Sequence, residues 1–169
     1  KRVMFKVVPD YNTRLQLLKK GDVDLMDGVT VEDADVLRES HPNLDLRRRG
    51  YRFMDYIAWN LNDERFADKR VRVAFAHAAD INGMIDKLLT SKTGEVYGRP
   101  SVGTITPELC GVHNDDVTLY DHDTAKAKAL MAEAGWTDTD GDGWVDKDGK
   151  PFSFTLITNR ENKRRIAAA

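Results

Sequence analysis

The chain has 169 residues, 41% of them hydrophobic and 32% charged, which suits a soluble globular domain with a real core rather than a disordered segment. Its 26 Lys and Arg against 28 Asp and Glu leave a net charge of -2, without the basic excess of a dedicated nucleic-acid binder. No apolar run approaches the ~20 residues that span a bilayer, and the one cysteine, Cys110, excludes an internal disulfide without deciding the compartment.

Val3 to Val8 is short, apolar and β-branched, the pattern of a buried strand. Pro9-Asp10-Tyr11-Asn12 turns and caps a helix whose apolar side carries Leu15, Leu17 and Leu18 and which ends at Gly21. Val23 to Met26 reads as a second strand, so the chain opens on a strand-helix-strand unit with parallel pairing. A short helix is expected over Glu32 to Glu39, then strands over Leu44 to Arg48 and Tyr51 to Asn60. Asp68 caps a helix with Val71, Ala74, Phe75 and Ala78 on one face, and Asn82 caps another with Ile85, Leu88 and Leu89 inward.

Residues 90–120, with Gly94, Gly98, Pro100, Gly103, Pro107 and Gly111, read as one long loop. Asp123 caps a helix from Thr124 to Ala134, stopped by Gly135. An acidic Gly-rich turn follows over 137–150, then a strand from Phe152 to Ile157 and a last helix from Asn162. The order is mixed α/β, read as a single α/β domain over 1–169. The opening Lys1-Arg2 and the closing Arg164-Arg165-Ile166-Ala167-Ala168-Ala169 both read as cuts through a longer protein, so a missing signal peptide says little about location.

Four blocks carry a family resemblance. They are Val8-Pro9-Asp10-Tyr11-Asn12-Thr13-Arg14-Leu15 with Leu18-Lys19-Lys20-Gly21-Asp22-Val23-Asp24-Leu25; Trp59-Asn60-Leu61; Phe66-Ala67-Asp68-Lys69-Arg70-Val71-Arg72-Val73-Ala74-Phe75; and Ala125 to Trp136, running on to Asp140-Gly141-Asp142-Gly143 and Asp148-Gly149-Lys150-Pro151. Together they resemble the peptide/nickel-type extracellular solute-binding proteins, family 5. The residues that recur make the fold: caps, helix stops and buried aromatics.

The resemblance implies an α/β fold with a mixed sheet flanked by helices. The chain would be part of the second, C-terminal lobe of a two-lobed periplasmic-binding-protein fold of class II type. It implies the substrate-binding component of an ABC importer, not an enzyme, which captures peptides or similar small solutes in the interlobe cleft and closes by hinge motion. The implied partners are the solute and the transmembrane subunits of a permease, with no nucleic acid and the protein a monomer. The implied location is periplasmic or extracytoplasmic, at the membrane through the permease or a lipid anchor. The acidic residue that holds a peptide's amino terminus in relatives would lie beyond Ala169.

By the same resemblance Phe53 and Tyr56 line the cleft, and the loop after the last strand brings Thr158, Asn159, Asn162 and Arg164 to its border. Their chemistry suits a peptide: Arg164 for a carboxylate, Asn159 and Asn162 for amides. The pattern leaves a plain alternative open at each place, Tyr56 as core and 159–164 as a solvated turn with a helix cap.

Asp138-Thr139-Asp140-Gly141-Asp142-Gly143-Trp144-Val145-Asp146 fits the first half of an EF-hand-type calcium loop, with oxygens at positions one, three and five and Gly at six. The twelfth position is Gly149 instead of a bidentate Glu, and a strand follows instead of a helix. Asp138, Asp140, Asp142 and Asp146 are therefore candidate ligands of a structural calcium, against a polar turn whose carboxylates cap backbone amides. The rival function built on this feature is a calcium-stabilised structural or adhesion module over 138–149. His41, His77, His113 and His122 are scattered, and Cys110 with His113 lacks the second pair of a zinc site. No convergent acid-base set, phosphate loop or nucleophile elbow is present.

Overall fold

The computed structural model describes residues 2–48, 54–101, 103–107, 111–114, 116–160 and 162–169. Helices dominate among them: α1 (Tyr11–Lys20), α2 (Val31–Ser40), α3 (Glu64–Ala67), α4 (Lys69–Ala78), α5 (Ile81–Leu89), α6 (Thr124–Glu133) and α7 (Lys163–Ala168). The sheet among the described residues is a two-stranded antiparallel hairpin, β1 (Asp146–Lys147) with β2 (Lys150–Pro151). The chain sorts into two compact units. One holds Lys1–Arg49, Ile85–Gly98 and Thr158–Ala169; the other holds Gly50–Met84 and Arg99–Ile157.

In the first unit α1 starts where the sequence places it. The Asp10 carboxylate accepts from the Thr13 amide at 2.7 Å, satisfying a donor with no partner inside the helix. The helix ends in a Schellman motif: Gly21 at φ +77° donates to Leu18 O, and Asp22 donates to Leu17 O at 2.9 Å. Leu15 and Leu18, three apart, are the buried face. At the start of α2 Thr30 Oγ1 accepts from the Asp33 amide, the Thr30 amide donates to the Tyr11 hydroxyl, and the Tyr11 phenol donates to Asp33 Oδ2, so Tyr11 takes the place that the acidic side chain holds in a capping box. Burial, then the bond to Asp33, hold the Tyr11 phenol above its ordinary value of 10.0. Leu37 of α2 is fully buried, a contribution of roughly 1.5–3 kcal/mol.

Behind α2 lies an element that departs from expectation. Residues 89–97 are not open loop but a tight turn, with Thr90 bridged to Val96, Gly94 donating to Ser91 O, and Tyr97 donating to Leu89 O at 2.7 Å. Gly94 sits at φ +83°, which is the conformation such a turn asks of glycine. The buried Asp35 carboxylate fastens this turn to α2 by accepting from the Lys92 amide at 2.9 Å and from Arg38 at 2.8 Å. Arg38 in turn donates to the Tyr97 hydroxyl, which donates to Glu95.

In the second unit α4 and α6 pack on one another over an aromatic core. Phe66 and Val71 are buried, and the Phe66 ring stacks on Trp59 at 4.8 Å and meets Phe152 and Phe154 edge-on at 5.9 and 5.5 Å. Trp136 closes the end of α6 by an edge contact with Phe152 at 4.7 Å. Gly135, at φ +87°, makes the stop that the sequence predicts, with Trp136 donating to Met131 O. His77 is buried, and its Nδ1 lies 2.8 Å from the Asp121 carbonyl, so that nitrogen carries the proton. The cap of α5 differs from expectation: Asp80, not Asn82, accepts from the Gly83 amide.

The runs 3–8, 23–26, 44–48, 54–60 and 153–157 carry no strand ladder among the described residues, although each has a strand's composition. Val3, Phe5 and Val7 are 79%, 92% and 90% exposed. A strand is defined by its partner, and apolar composition reports the surface a strand would bury, not whether its partner lies in the same stretch of chain.

Candidate functional site

The predicted ligand residues fall into both units. Phe53 lies outside the described residues. Tyr56 belongs to the second unit and is 75% exposed, so it is not the core residue that the alternating pattern equally allowed. Thr158, Asn159, Asn162 and Arg164 belong to the first unit and share one short segment. Thr158 and Asn159 are exposed; Asn162 and Arg164 are half-buried.

Asn162 has a structural task. It is the N-cap of α7, its Oδ1 accepting from the Arg165 amide at 3.1 Å. Asn159 Oδ1 accepts from the Arg165 guanidinium at 3.2 Å, and its carbonyl accepts from the Asn162 amide. The turn is thus ordered by its own side chains.

Residues 152–154 are held by the second unit's own core. Phe152 and Phe154 place their rings against Phe66, and the Ser153 carbonyl between them accepts from Arg65 Nη1. Arg65 is itself fixed by Asp63, the N-cap of α3, through Nε at 2.8 Å and Nη2 at 2.5 Å. The same arrangement repeats five residues on, where Asp68 caps α4 and Arg70 reaches the Glu133 carbonyl. These Arg bonds pull both carboxyls from 3.8 to about 2. Asp63, Arg65 and the short α3 were missed from sequence, although the repeated Asp-x-Arg spacing was a usable signal.

The acidic residues do converge. One carboxylate oxygen from each of Asp138, Asp140 and Asp142 lies within 4.8 Å of the others. Paired backbone bonds between Thr137 and Asp146 close the loop at its base. Asp138 accepts from the Gly141 and Gly143 amides, Asp140 from Asp142, and Asp142 from Trp144. The Asp146 carboxylate accepts from the Thr139 amide and hydroxyl, so it clamps the loop. Asp148 and Gly149, at φ 52° and 69°, form the two-residue turn of the following hairpin. The place of a twelfth-position ligand is therefore taken by turn backbone. An open cavity of about 190 Å³ lies over the loop, lined by residues that include Asp140, Asp142 and Trp144. It is smaller than the ~300–1,000 Å³ usual for organic ligands.

The whole chain, residues 1–169, matches the family model described as Bacterial extracellular solute-binding proteins, family 5 Middle. The chain belongs to the bacterial extracellular solute-binding proteins, family 5. Among family 5 relatives, it is 39% identical over 164 residues to the oligopeptide-binding protein AppA of Bacillus subtilis, a match covering 96% of this chain and 29% of AppA. The solved structure of that protein, in complex with a nonapeptide, superposes with a TM-score of 0.69 at 35% identity over 95% of this chain and 31% of its own. The periplasmic binding protein DppA from Helicobacter pylori, in complex with peptide STSA, gives 0.64 at 25% identity, covering 77% of this chain and 24% of its own. The fold is thus part of one lobe of a periplasmic-binding-protein fold, and the chain spans about three tenths of the length of AppA. No helix among the described residues is long and apolar enough to cross a membrane.

Proposed function

We propose that this chain is part of the substrate-binding component of an ABC importer, which captures peptides or similar small solutes outside the cytoplasm for delivery to a membrane permease. The observation that carries this reading is the family match over the whole chain, supported by its likeness to a protein solved with a nonapeptide. The chemistry is recognition, not catalysis. Tyr56, with Thr158, Asn159, Asn162 and Arg164, supplies an exposed aromatic face, amide and hydroxyl groups, and a cation suited to a peptide's backbone and carboxylate. The protein works as a monomer held at the membrane by its permease or by a lipid anchor. Mass spectrometry of solutes co-purified with the full-length protein tests this. Peptides in the eluate are expected, and recovery of no small solute from varied media would defeat the reading.

A second role is favoured by the convergence of Asp138, Asp140 and Asp142. The three carboxylates would hold a calcium ion as a structural clip on the 137–146 loop. This clip would serve the fold of a solute-binding protein and does not require an adhesion module.

A further inference from the structure

Four Asp-Gly steps occur in the chain, at Asp27, Asp140, Asp142 and Asp148. At such a step the glycine nitrogen can attack the aspartate's own side-chain carboxyl, because glycine has no Cβ to stand in the way. The fold decides whether the two groups meet, since a pair held in contact gains the advantage of an oriented intramolecular reaction.

At Asp140 and Asp142 the fold holds them apart. The Gly141 and Gly143 amides donate to Asp138 at 2.7 and 3.0 Å, while Asp140 Oδ1 accepts from the Asp142 amide and Asp142 Oδ1 from the Trp144 amide. Asp148 and Gly149 are clamped between the paired Lys147 and Lys150 of the hairpin. Asp27 is the reverse case. The Gly28 amide donates to Asp27 Oδ1 at 2.9 Å, so the nitrogen already rests on the carboxyl group it would attack. Both residues are exposed, and a Cβ at Gly28 would meet nothing within 4 Å. Among the described residues, 23–29 make no backbone–backbone hydrogen bond that would resist closing a ring there.

We infer that Asp27-Gly28 is a site of spontaneous aspartate isomerisation, the step of the four at which the native fold favours cyclisation. The Gly28 nitrogen bonds to Asp27 Cγ, the carboxyl C–OH bond breaks, and the hydroxyl leaves with the amide proton as water, giving a five-membered imide. Water then opens the imide. Attack at Cγ restores aspartate; attack at the Asp27 backbone carbonyl leaves the chain running through Cβ and Cγ, with a free α-carboxylate. Nothing is oxidised or reduced, and the mass is unchanged. The inserted backbone carbon lies shortly before Thr30, whose hydroxyl and carbonyl hold the Asp33 and Ala34 amides, so the start of α2 is the structure that feels it.

The test holds the full-length protein for about two weeks at about pH 6 and about 37 °C, folded and in concentrated urea, as wild type and Asp27→Glu. Peptide mapping by electron-transfer fragmentation, which distinguishes isoaspartate from aspartate, reads each step. In the folded wild type isoaspartate at 27 should exceed that at each of the other three steps by about tenfold. In urea the four steps should fall within about threefold of one another. Asp27→Glu, which could close only a less favourable six-membered ring, should remove the signal and leave the other three steps unchanged. Isoaspartate at 27 no higher than at the other steps in the folded protein overturns the inference. So does the same preference in urea, which would assign it to local sequence, and so does a signal that persists in Asp27→Glu, which would belong to a neighbouring aspartate.

Discussion

Arg70 and Glu133 join the start of α4 to the end of α6: the guanidinium, held on Asp68, donates to the Glu133 carbonyl at 2.5 Å. The carbonyl is one of those a helix C-terminus leaves without an internal partner, and the cation also suits the negative end of the helix dipole. The neighbouring Ala134 carbonyl is taken in the same way by Lys147 Nζ at 3.0 Å. So the α6 terminus, where the sequence shows only Gly135 as a stop, is closed by two cations from elsewhere in the unit.

The Asp-x-Arg caps make stability depend on acid. Asp63 and Asp68 have folded carboxyl values of about 2 against an ordinary 3.8, because Arg65 and Arg70 bind the ionised forms. A depressed folded value means the unfolded chain takes up the proton first. The stabilisation is therefore complete above about pH 4 and is lost as pH falls toward 2. Urea titrations at pH 5, 4, 3 and 2.5 should show stability falling across that window, with a shallower fall in a Asp63→Asn/Asp68→Asn double variant. Both carboxylates are partly exposed, so added salt should weaken the effect. Identical slopes in wild type and double variant would remove these caps from the account.

The aromatic core should separate sharply from the exposed aromatics. Phe66 is 5% exposed, and its ring meets Trp59, Phe75, Phe152 and Phe154. Phe66→Ala should cost about 3–5 kcal/mol in urea unfolding. Trp144, 70% exposed on the acidic loop, should change stability by less than about 0.5 kcal/mol when replaced by Ala. Comparable losses at the two positions would place the core wrongly.

Much of this was legible in sequence because caps and stops act locally. Asp10, Asp68, Asp123 and Asn162 each accept an amide in the first turn of the helix they precede, as their side-chain chemistry predicts. The strand assignments fared differently, since Val3 to Val8 shows what it would bury but not what it would pair with. The two tight turns lie within longer readings for a simpler reason. Thr90…Gly94…Val96 lies inside the 90–120 stretch that reads as one loop, and Asp148-Gly149 inside the 137–150 stretch that reads as one acidic turn, so the ordinary turn signals do not stand out singly. For the candidate site, the convergence of Asp138, Asp140 and Asp142 was legible from spacing, whereas Arg65's reach to Ser153, 88 residues away, has no local trace.

Gly135 is constrained twice over. Its φ of +87° disfavours any L side chain, and a Cβ there would stand 3.2 Å from Lys147 Cε. Gly21 shares the backbone conformation but has nothing within 4 Å. Gly21→Ala should cost about 1 kcal/mol from backbone strain alone, and Gly135→Ala about 1–2 kcal/mol. Adding Lys147→Ala should bring the two glycine costs together, because it removes the crowding specific to Gly135. A Gly135→Ala variant as stable as wild type would show that the chain does not need the left-handed stop.

The calcium clip predicts a ligand-linked rise in thermal stability. Calorimetry in millimolar calcium against a chelator should raise Tm for wild type and leave an Asp140→Asn/Asp142→Asn variant unmoved. Asp138 is a poorer choice for this test, since both of its oxygens cap loop amides, those of Gly141 and Gly143, whereas Asp140 and Asp142 each cap one amide through an Oδ1 that Asn retains. No calcium-dependent shift in wild type leaves the loop as a polar turn ordered by its own carboxylates.

The solute site predicts that affinity and stability part company. Tyr56 is 75% exposed, and Asn159 is exposed with its side-chain bond to Arg165 lying in solvent, so neither contributes much to global stability. In the full-length protein, Tyr56→Ala and Asn159→Ala should each weaken nonapeptide binding by about 5- to 50-fold while Tm stays within about 1 °C of wild type. Asn162→Ala should behave otherwise: it removes the α7 cap, so it should lose helix protection at 165–168 in hydrogen exchange as well as affinity. Titration calorimetry beside exchange distinguishes the cases. If Tyr56→Ala and Asn159→Ala bind as tightly as wild type, then exposure at these positions reflects ordinary surface, and the recognition chemistry has to be sought in the part of the relatives' length that these 169 residues do not span.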